Sequence, residues 1–362
     1  MPPDRRGERQ AALRAVLESE GLDGLLVTHL PNVRYLTGFS GSAALLLVRP
    51  DTTTLITDFR YAAQAPDEAG DAALVEVDRK SVWERLGRLL GEHPAVSLGI
   101  ESHAITVRDA ERVARLTRGR PVPVGDLVER LRAAKSPEEV DALRAAAVLA
   151  QGALAELLPT VRVGQTELEV GAALEAALRR RGSEWHPFPT IVASGPRSAL
   201  PHARTSPRPI GAGEWLLLDF GAQVDGYCAD LTRTVVVGAR ADERQRTVYE
   251  LVRTAQQRAV RHLRAGITGR EGDALAREVI AARGFGDAFG HSLGHGLGLE
   301  VHEAPRLAPT ADAPLPLHAV VTVEPGIYLP GWGGVRLEDD VYLGPDGAVL
   351  LSDGRTELVE LL

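Results

Sequence analysis

Residues 321–340 read VTVEPGIYLPGWGGVRLEDD. Glu324 closes the apolar run Val320-Val321-Thr322-Val323. Glu338 follows Val335-Arg336-Leu337 and opens an acidic triplet, and a Gly- and Pro-rich turn sequence separates the two acids. An isolated carboxylate at the end of an apolar strand is costly to bury. The pattern therefore demands something that meets both acids.

The same oddity recurs upstream. Asp219 ends EWLLLDFG and Asp230 sits in GYCADLTRTVVVG, with Val224-Asp225-Gly226 between them reading as a hairpin turn. Such a hairpin places Asp219 and Asp230 side by side. Two like charges about 4 Å apart repel by roughly 4 kcal/mol at an effective dielectric of 20, so the pair requires a cation or shifted pKa values. Each acid taken alone is most simply a solvated turn or a helix cap. Four of them on apolar strands, each near a Gly-rich turn, are not. GHSLGHGLGLEVHE (290–303) adds His291, His295 and His302 among glycines 290, 294, 296 and 298, and His202 lies in SALPHARTS. That glycine density argues against a plain helix and for backbone turning closely around something. VHEAP lacks the second histidine of the HExxH zinc motif. Four carboxylates with one imidazole form a hard, oxygen-rich set suited to two divalent ions, Mn²⁺ first, with Co²⁺ or Zn²⁺ as alternatives. Two such ions balance the four acids and sit about 3.5–4 Å apart in hydrolases of this kind.

The rest of the chain frames that cluster. Its 362 residues suggest two domains. A net charge of −8 argues against nucleic acid as a partner. The single cysteine, Cys228, excludes an internal disulfide framework. The start, MPPDRRGERQ, lacks a signal-peptide core, and the longest apolar runs, such as AALLLV (43–48), are too short to span a bilayer. The expectation is a cytoplasmic protein without a membrane partner. Strand-like and helix-like segments alternate to about residue 125, giving an α/β domain over 1–126. SPEE (136–139), TELE (166–169) and TGRE (268–271) then mark helix starts by their capping boxes. A further helix is expected over about 242–263, and antiparallel strands fill the gaps. This predicts an α+β domain over 127–362, with no internal repeat apparent.

At these residues the sequence resembles the pita-bread metallopeptidases, the family of aminopeptidase P, prolidase and methionine aminopeptidase. LLLDFGAQVDGYCADLTRT (216–234), GHSLGHGLGLEVHE, VTVEPGIYLPG (321–331) and GVRLEDD (334–340) carry the likeness, with Asp, Asp, His, Glu and Glu in the family order. LRAAKSPEEVDALRAAA (131–147) resembles the helix opening the catalytic domain. YLTGFSGSAALLLV (35–48) and LITDFRYAAQA (55–65) resemble the amino-terminal domain of small prokaryotic Xaa-Pro peptidases. The resemblance implies a pita-bread catalytic domain behind a smaller α/β, creatinase-like one. It implies metal contact by Asp219, Asp230, His295, Glu324 and Glu338, with Asp230 and Glu338 bridging and Glu324 doubling as general base. His202, His291 and His302 would bind substrate and steady the tetrahedral intermediate. Tyr328 lies near the site, and Arg336 would pair with a ligand carboxylate or with substrate.

The substrate implied is a peptide with proline second, whose tertiary amide lacks the N–H and restricts φ. HPFPTIV (186–192), with the nearby histidines, offers a proline-sized apolar wall. An Xaa-Pro aminopeptidase is the first reading. An Xaa-Pro dipeptidase is the alternative, needing a cation for the substrate carboxylate, for which Arg197, Arg204 and Arg208 stand near His202. A non-catalytic peptide-binding module on the same fold is the third, disfavoured by the complete ligand set. A homodimer is expected.

Overall fold

The computed structural model describes residues 5–117, 119–352 and 355–362. The chain divides after Arg132 into two units. In the first, α1 (Arg6–Ser19), β1 (Gly24–Val27), α2 (Leu30–Thr37), β2 (Ala44–Val48), β3 (Thr53–Asp58), α3 (Gln64–Ala69), β4 (Leu74–Asp78), α4 (Val82–Glu92), β5 (Leu98–Glu101), α5 (Val107–Leu116), β6 (Val122–Val124) and α6 (Leu127–Arg132) follow one another. The six strands form one sheet in the order β4-β3-β2-β1-β5-β6. Its centre is antiparallel, while β5 and β6 run parallel to β1 and β4 runs parallel to β3. Continuous apolar runs fit this, because β1, β2 and β3 are buried on both faces. The expected boundary at 126/127 leaves out α6, which here belongs with the first unit: Arg132 Nη1 donates to Asn32 Oδ1 at 2.7 Å and Tyr35 OH to the Leu131 carbonyl at 3.3 Å.

The second unit has the pita-bread plan. It contains α7 (Pro137–Leu157), α8 (Glu167–Arg180), β7 (Ile191–Ser194), β8 (Glu214–Phe220), β9 (Gln223–Val224), β10 (Tyr227–Cys228), β11 (Leu231–Val237), α9 (Glu243–His262), α10 (Gly269–Ala281), β12 (Gly294–Gly296), β13 (Glu303–Leu307), β14 (Val320–Val323), β15 (Gly326–Leu329), β16 (Gly333–Arg336), β17 (Asp339–Gly344), β18 (Gly347–Leu350) and β19 (Glu360–Leu361). One sheet is ordered β19-β11-β8-β7 and another β13-β12-β14-β17-β18. α7 and α8 bury Ala150, Ala153, Val170 and Leu174 in one core with Leu216, Leu218 and Val235. α9 and α10 bury Val248, Val252, Ala276 and Ile280 in a second core with Val321, Val323 and Val341. The same plan, a helix pair on a largely antiparallel sheet, is thus built twice by sequences that show no repeat. All four helices open on capping boxes, at Ser136/Glu139, Thr166/Glu169, Asp242/Gln245 and Thr268/Glu271.

By length and composition alone, the stretch Pro137–Thr160 is apolar enough to cross a membrane. Asp141, Arg144 and Gln151 interrupt its apolar residues, and one face of the helix is rich in alanine. That face, with Ala146, Ala147, Ala150 and Ala153, is buried in the protein core.

The two sheets touch where β11 approaches the start of β17. Glu338 N–H donates to the Thr232 carbonyl at 3.1 Å, and Arg233 Nη1 donates to the Glu338 carbonyl at 2.6 Å. This junction positions everything described next.

Removing the Thr268 hydroxyl deletes half of a capping box, so Thr268→Ala is expected to lower stability by about 1 kcal/mol. A Cβ at Gly91, inside α4, meets no atom within 4 Å, so Gly91→Ala is expected to raise stability by about 0.5–1 kcal/mol. Urea denaturation of the two variants checks both signs.

Candidate metal centre

The hairpin forms, with one adjustment to its register. Asp225 and Gly226 turn the chain with φ of 49° and 79°, the left-handed pair a two-residue hairpin requires. Asp219 pairs with Thr232 across the ladder, so Asp230 faces Gly221. The two acids are therefore diagonal neighbours on one face rather than directly opposite. Glu324 and Glu338 stand just beyond the β14/β17 ladder, whose last pair is Val323 with Asp339. β12 brings in His295, whose Nε2 lies 3.8 Å from Asp230 and 3.5 Å from Glu324. Ligand atoms of Asp230, His295 and Glu338 all lie within 4.8 Å of one another. The glycines of this stretch do what their density suggests: a Cβ on Gly294 would sit 2.0 Å from the Thr322 carbonyl, and one on Gly296 2.1 Å from the Ala304 carbonyl.

The donors are held by a second set of contacts. His295 Nδ1 donates to the Gly296 carbonyl at 3.0 Å, which leaves Nε2 unprotonated toward the acids. Thr232 Oγ1 donates to Glu338 at 2.6 Å and Thr322 Oγ1 to Glu324 at 3.3 Å. Asp340 accepts the Asp230 backbone N–H at 3.3 Å. The acidic triplet thus splits: Glu338 faces the cluster, Asp340 props Asp230, and Asp339 pairs with Arg233 at 2.7 Å. Sequence reading missed Thr232, Thr322 and Asp340. The signal was available, since each lies two residues from a cluster acid and so shares its strand face.

Charge inside the cluster is unbalanced. Burial pushes the Asp230 and Glu324 carboxyls well above their ordinary values, and the neighbouring Glu338 charge adds to both. Burial, then Asp219, raises Glu338 to about 7. Burial raises Asp219 too, although Arg336 opposes the rise from 2.5 Å. Burial depresses His295 to about 4, so its ring is neutral at pH 7. Asp219 Oδ1 and Asp230 Oδ1 are buried without a hydrogen-bond partner. Orphaned anionic oxygens facing a neutral imidazole fit a divalent cation, whose binding would replace the protons that the acids otherwise need.

Around this cluster stand the other expected residues. His291 Nε2 lies 2.8 Å from Tyr328 OH, and Arg336 Nη1 donates to that same hydroxyl at 2.9 Å. Burial lowers His291 to about 4 and raises Tyr328 to about 12. His302 stacks edge-on against His295 with ring centroids 4.4 Å apart. His202 is exposed, close enough for its charge to act on both Asp219 and His302. Two of the three expected carboxylate-binding arginines are already occupied: Arg197 binds the buried Glu167 at 3.1 Å, and Arg208 binds Glu214 at 2.6 Å. Arg306, which sequence reading passed over, pairs directly with His295 across the β12/β13 ladder and is exposed.

Family comparison agrees with this geometry. Residues 141–345 match the model of metallopeptidase family M24, and residues 9–134 match the Creatinase/Prolidase N-terminal domain. The chain belongs to metallopeptidase family M24. A Xaa-Pro dipeptidase of Pyrococcus horikoshii is 34% identical, with 98% of this chain and 100% of that protein covered. A solved Xaa-Pro dipeptidase from Bacillus anthracis superposes with a TM-score of 0.95 at 39% identity, covering 98% of this chain and 100% of that one. A solved X-Pro aminopeptidase from Thermotoga maritima MSB8 superposes with a TM-score of 0.89 at 36% identity, covering 94% and 98%. M24 is a metallopeptidase family, and Asp230, His295 and Glu338 form a group that could hold a metal ion.

A pH dependence follows. An acid whose folded pKa exceeds its unfolded one stabilises the fold at low pH and loses that contribution as pH rises through the folded value. For Glu338 that window runs from about 4.5 to about 7. The melting temperature of chelator-stripped protein is therefore expected to fall between pH 5 and pH 8, and that of protein saturated with Mn²⁺ to fall much less. Calorimetry with and without chelator gives the two slopes.

Proposed function

We propose that this chain is a Xaa-Pro dipeptidase with a dinuclear divalent-metal site, Mn²⁺ first among its ions, held by Asp219, Asp230, His295, Glu324 and Glu338. The observation that carries the reading is the convergence of three buried carboxylates, the half-buried Glu324 and one neutral imidazole, with one oxygen each of Asp219 and Asp230 lacking a hydrogen-bond partner. Divalent ions supply Lewis acidity and lower the pKa of water towards 7. Glu324, its carboxyl raised by burial, takes the proton of the attacking water and delivers one to the departing proline nitrogen. His302 and His202 face the developing oxyanion. His291 and Arg336 hold Tyr328 between them, so that its hydroxyl keeps a fixed direction. Phe188 and Pro187 pack over Gly221, the residue facing Asp230, and give the substrate proline an apolar wall.

The sequence reading placed the aminopeptidase first. The order is reversed here because the named relatives are mainly dipeptidases and because a cation is suitably placed for a free carboxylate. Arg306 lies on the same strand face as His295 and is close enough to lower the His302 pKa, behind the larger effects of burial and His202. The Thermotoga maritima structure supports the aminopeptidase as the second reading. A homodimer belongs to the same proposal. Phe59, Leu74 and Val77 are exposed on and beside β4, the free edge of the first sheet, where unpaired strands invite self-association.

Three measurements test the reading. With Mn²⁺ at matched pH, Xaa-Pro dipeptides are expected to be hydrolysed at least tenfold faster than Xaa-Pro-Xaa tripeptides. Arg306→Ala is expected to raise KM for dipeptides by about 10- to 100-fold, the scale of one charge-assisted hydrogen bond. Equal or faster tripeptide cleavage establishes the aminopeptidase. Asp230→Asn is expected to lose bound metal along with rate, read by elemental analysis.

A further inference from the structure

We infer that the first unit carries a separate transition-metal site of His29, His103 and Glu129, open on one side to water and suited to Zn²⁺ or a similar borderline cation. The three residues come from distant parts of the sequence. His29 stands two residues past the end of β1, His103 two residues past the end of β5, and Glu129 in the first turn of α6. Because β1 and β5 run parallel and adjacent, with Leu26 paired to Ile100, their carboxyl ends lie together. β6 runs parallel beside β5 and delivers α6 to the same end. The carboxyl ends of parallel strands are where open α/β sheets collect ligands.

The distances suit a shared cation. His103 Nε2 lies 3.0 Å and His29 Nδ1 3.7 Å from the same oxygen, Glu129 Oε1. One nitrogen or oxygen from each of the three residues lies within 4.8 Å of the others. Bonds of about 2.0–2.1 Å in a tetrahedral zinc site place neighbouring donor atoms roughly 3.3 Å apart, between the two measured values. The two imidazoles meet edge to face, at 88° with centroids 5.5 Å apart, so both rings turn toward the shared carboxylate instead of stacking.

The donors are also held in place. Glu101, 2% exposed, accepts the backbone N–H groups of Thr28 at 2.7 Å and His29 at 2.8 Å, which fixes the chain that carries His29. Asn32, fully buried, donates from Nδ2 to both Glu129 and Glu101, and its own oxygen accepts from Arg132 at 2.7 Å. Asp126 Oδ1 lies 3.8 Å from His103 Nδ1, the ring nitrogen turned away from Glu129. At that distance Asp126 is an electrostatic neighbour of the ring rather than its hydrogen-bond acceptor. Side-chain exposures of 22% for His29, 32% for His103 and 19% for Glu129 leave a face open to solvent, as in a site with three protein ligands and a place for water or another donor. Two imidazoles and one carboxylate make a softer, less charged set than the carboxylate cluster of the second unit, so the two sites select different ions.

The test is zinc stoichiometry of the full chain with its carboxylate cluster saturated by Mn²⁺. Elemental analysis after equilibration with one equivalent of Zn²⁺ in excess Mn²⁺, and removal of unbound metal, is expected to show about one more zinc per chain in the wild type than in His103→Ala, His29→Ala or Glu129→Gln. Isothermal titration with Zn²⁺ is expected to show at least a tenfold weaker affinity in each variant. Circular dichroism and melting identify any variant that fails to fold. For such a variant, Co²⁺ added to Mn²⁺-loaded wild type is read instead, by visible absorption and by paramagnetic broadening of the His29 and His103 imidazole signals. Equal zinc content and affinity in wild type and folded His103→Ala, or imidazole signals unmoved by Co²⁺, overturn the assignment and leave an ordinary histidine–glutamate network.

Discussion

Three buried carboxylates and the half-buried Glu324, gathered in one cluster, are the constraint from which the rest of the second unit follows. Burial raises the pKa values of Asp230, Glu324 and Glu338, neighbouring acids add to the rise, and Arg336, ion-paired with Asp219, only partly opposes it at Glu324 and Glu338. A protein that keeps such a cluster must hold it against its own repulsion. It does so by rooting each acid in backbone it cannot give up. Asp219 is the next-to-last residue of a seven-residue strand paired on both sides. Asp230 is propped by Asp340, and Glu338 is bonded through its own backbone to Thr232. The cluster sits where two sheets meet, and each sheet is backed by its own helix pair and its own core.

Function depends on the same arrangement. Neutral His295 is useful as a donor only because its Nδ1 is committed to the Gly296 carbonyl. Tyr328 keeps one direction because His291 and Arg336 both hold its hydroxyl, and Arg336 in turn is anchored by Asp219 and Thr232. The groups proposed to face substrate are therefore tied to those proposed to hold metal through shared hydrogen bonds. Removing one member should disturb more than its own contact, which is why metal content and rate need to be read separately in any variant.

Much of this was legible in the sequence, for identifiable reasons. Capping boxes are local, and all three expected at Ser136, Thr166 and Thr268 form. Asp225-Gly226 announces its turn by residue type alone. What escaped is what depends on partners far along the chain. The diagonal placement of Asp219 and Asp230 needed the ladder register, not the turn. Thr232, Thr322 and Asp340 needed the period of two applied outward from each acid. Arg306 became visible only when β13 was laid beside β12, and the commitments of Arg197 and Arg208 only when Glu167 and Glu214 were found beside them. His29, His103 and Glu129 are spread over a hundred residues, and no local pattern connects them. Only the parallel pairing of β1, β5 and β6 does.

The central claim is that the carboxylate cluster holds two bridged ions, and electron paramagnetic resonance of the Mn²⁺-saturated protein tests it most directly. Ions about 3.5–4 Å apart and joined by carboxylates couple their spins. The account predicts an exchange-coupled dinuclear signal at saturation that collapses to an uncoupled one in Glu338→Gln. A saturated wild-type protein showing only isolated, uncoupled Mn²⁺ would contradict it.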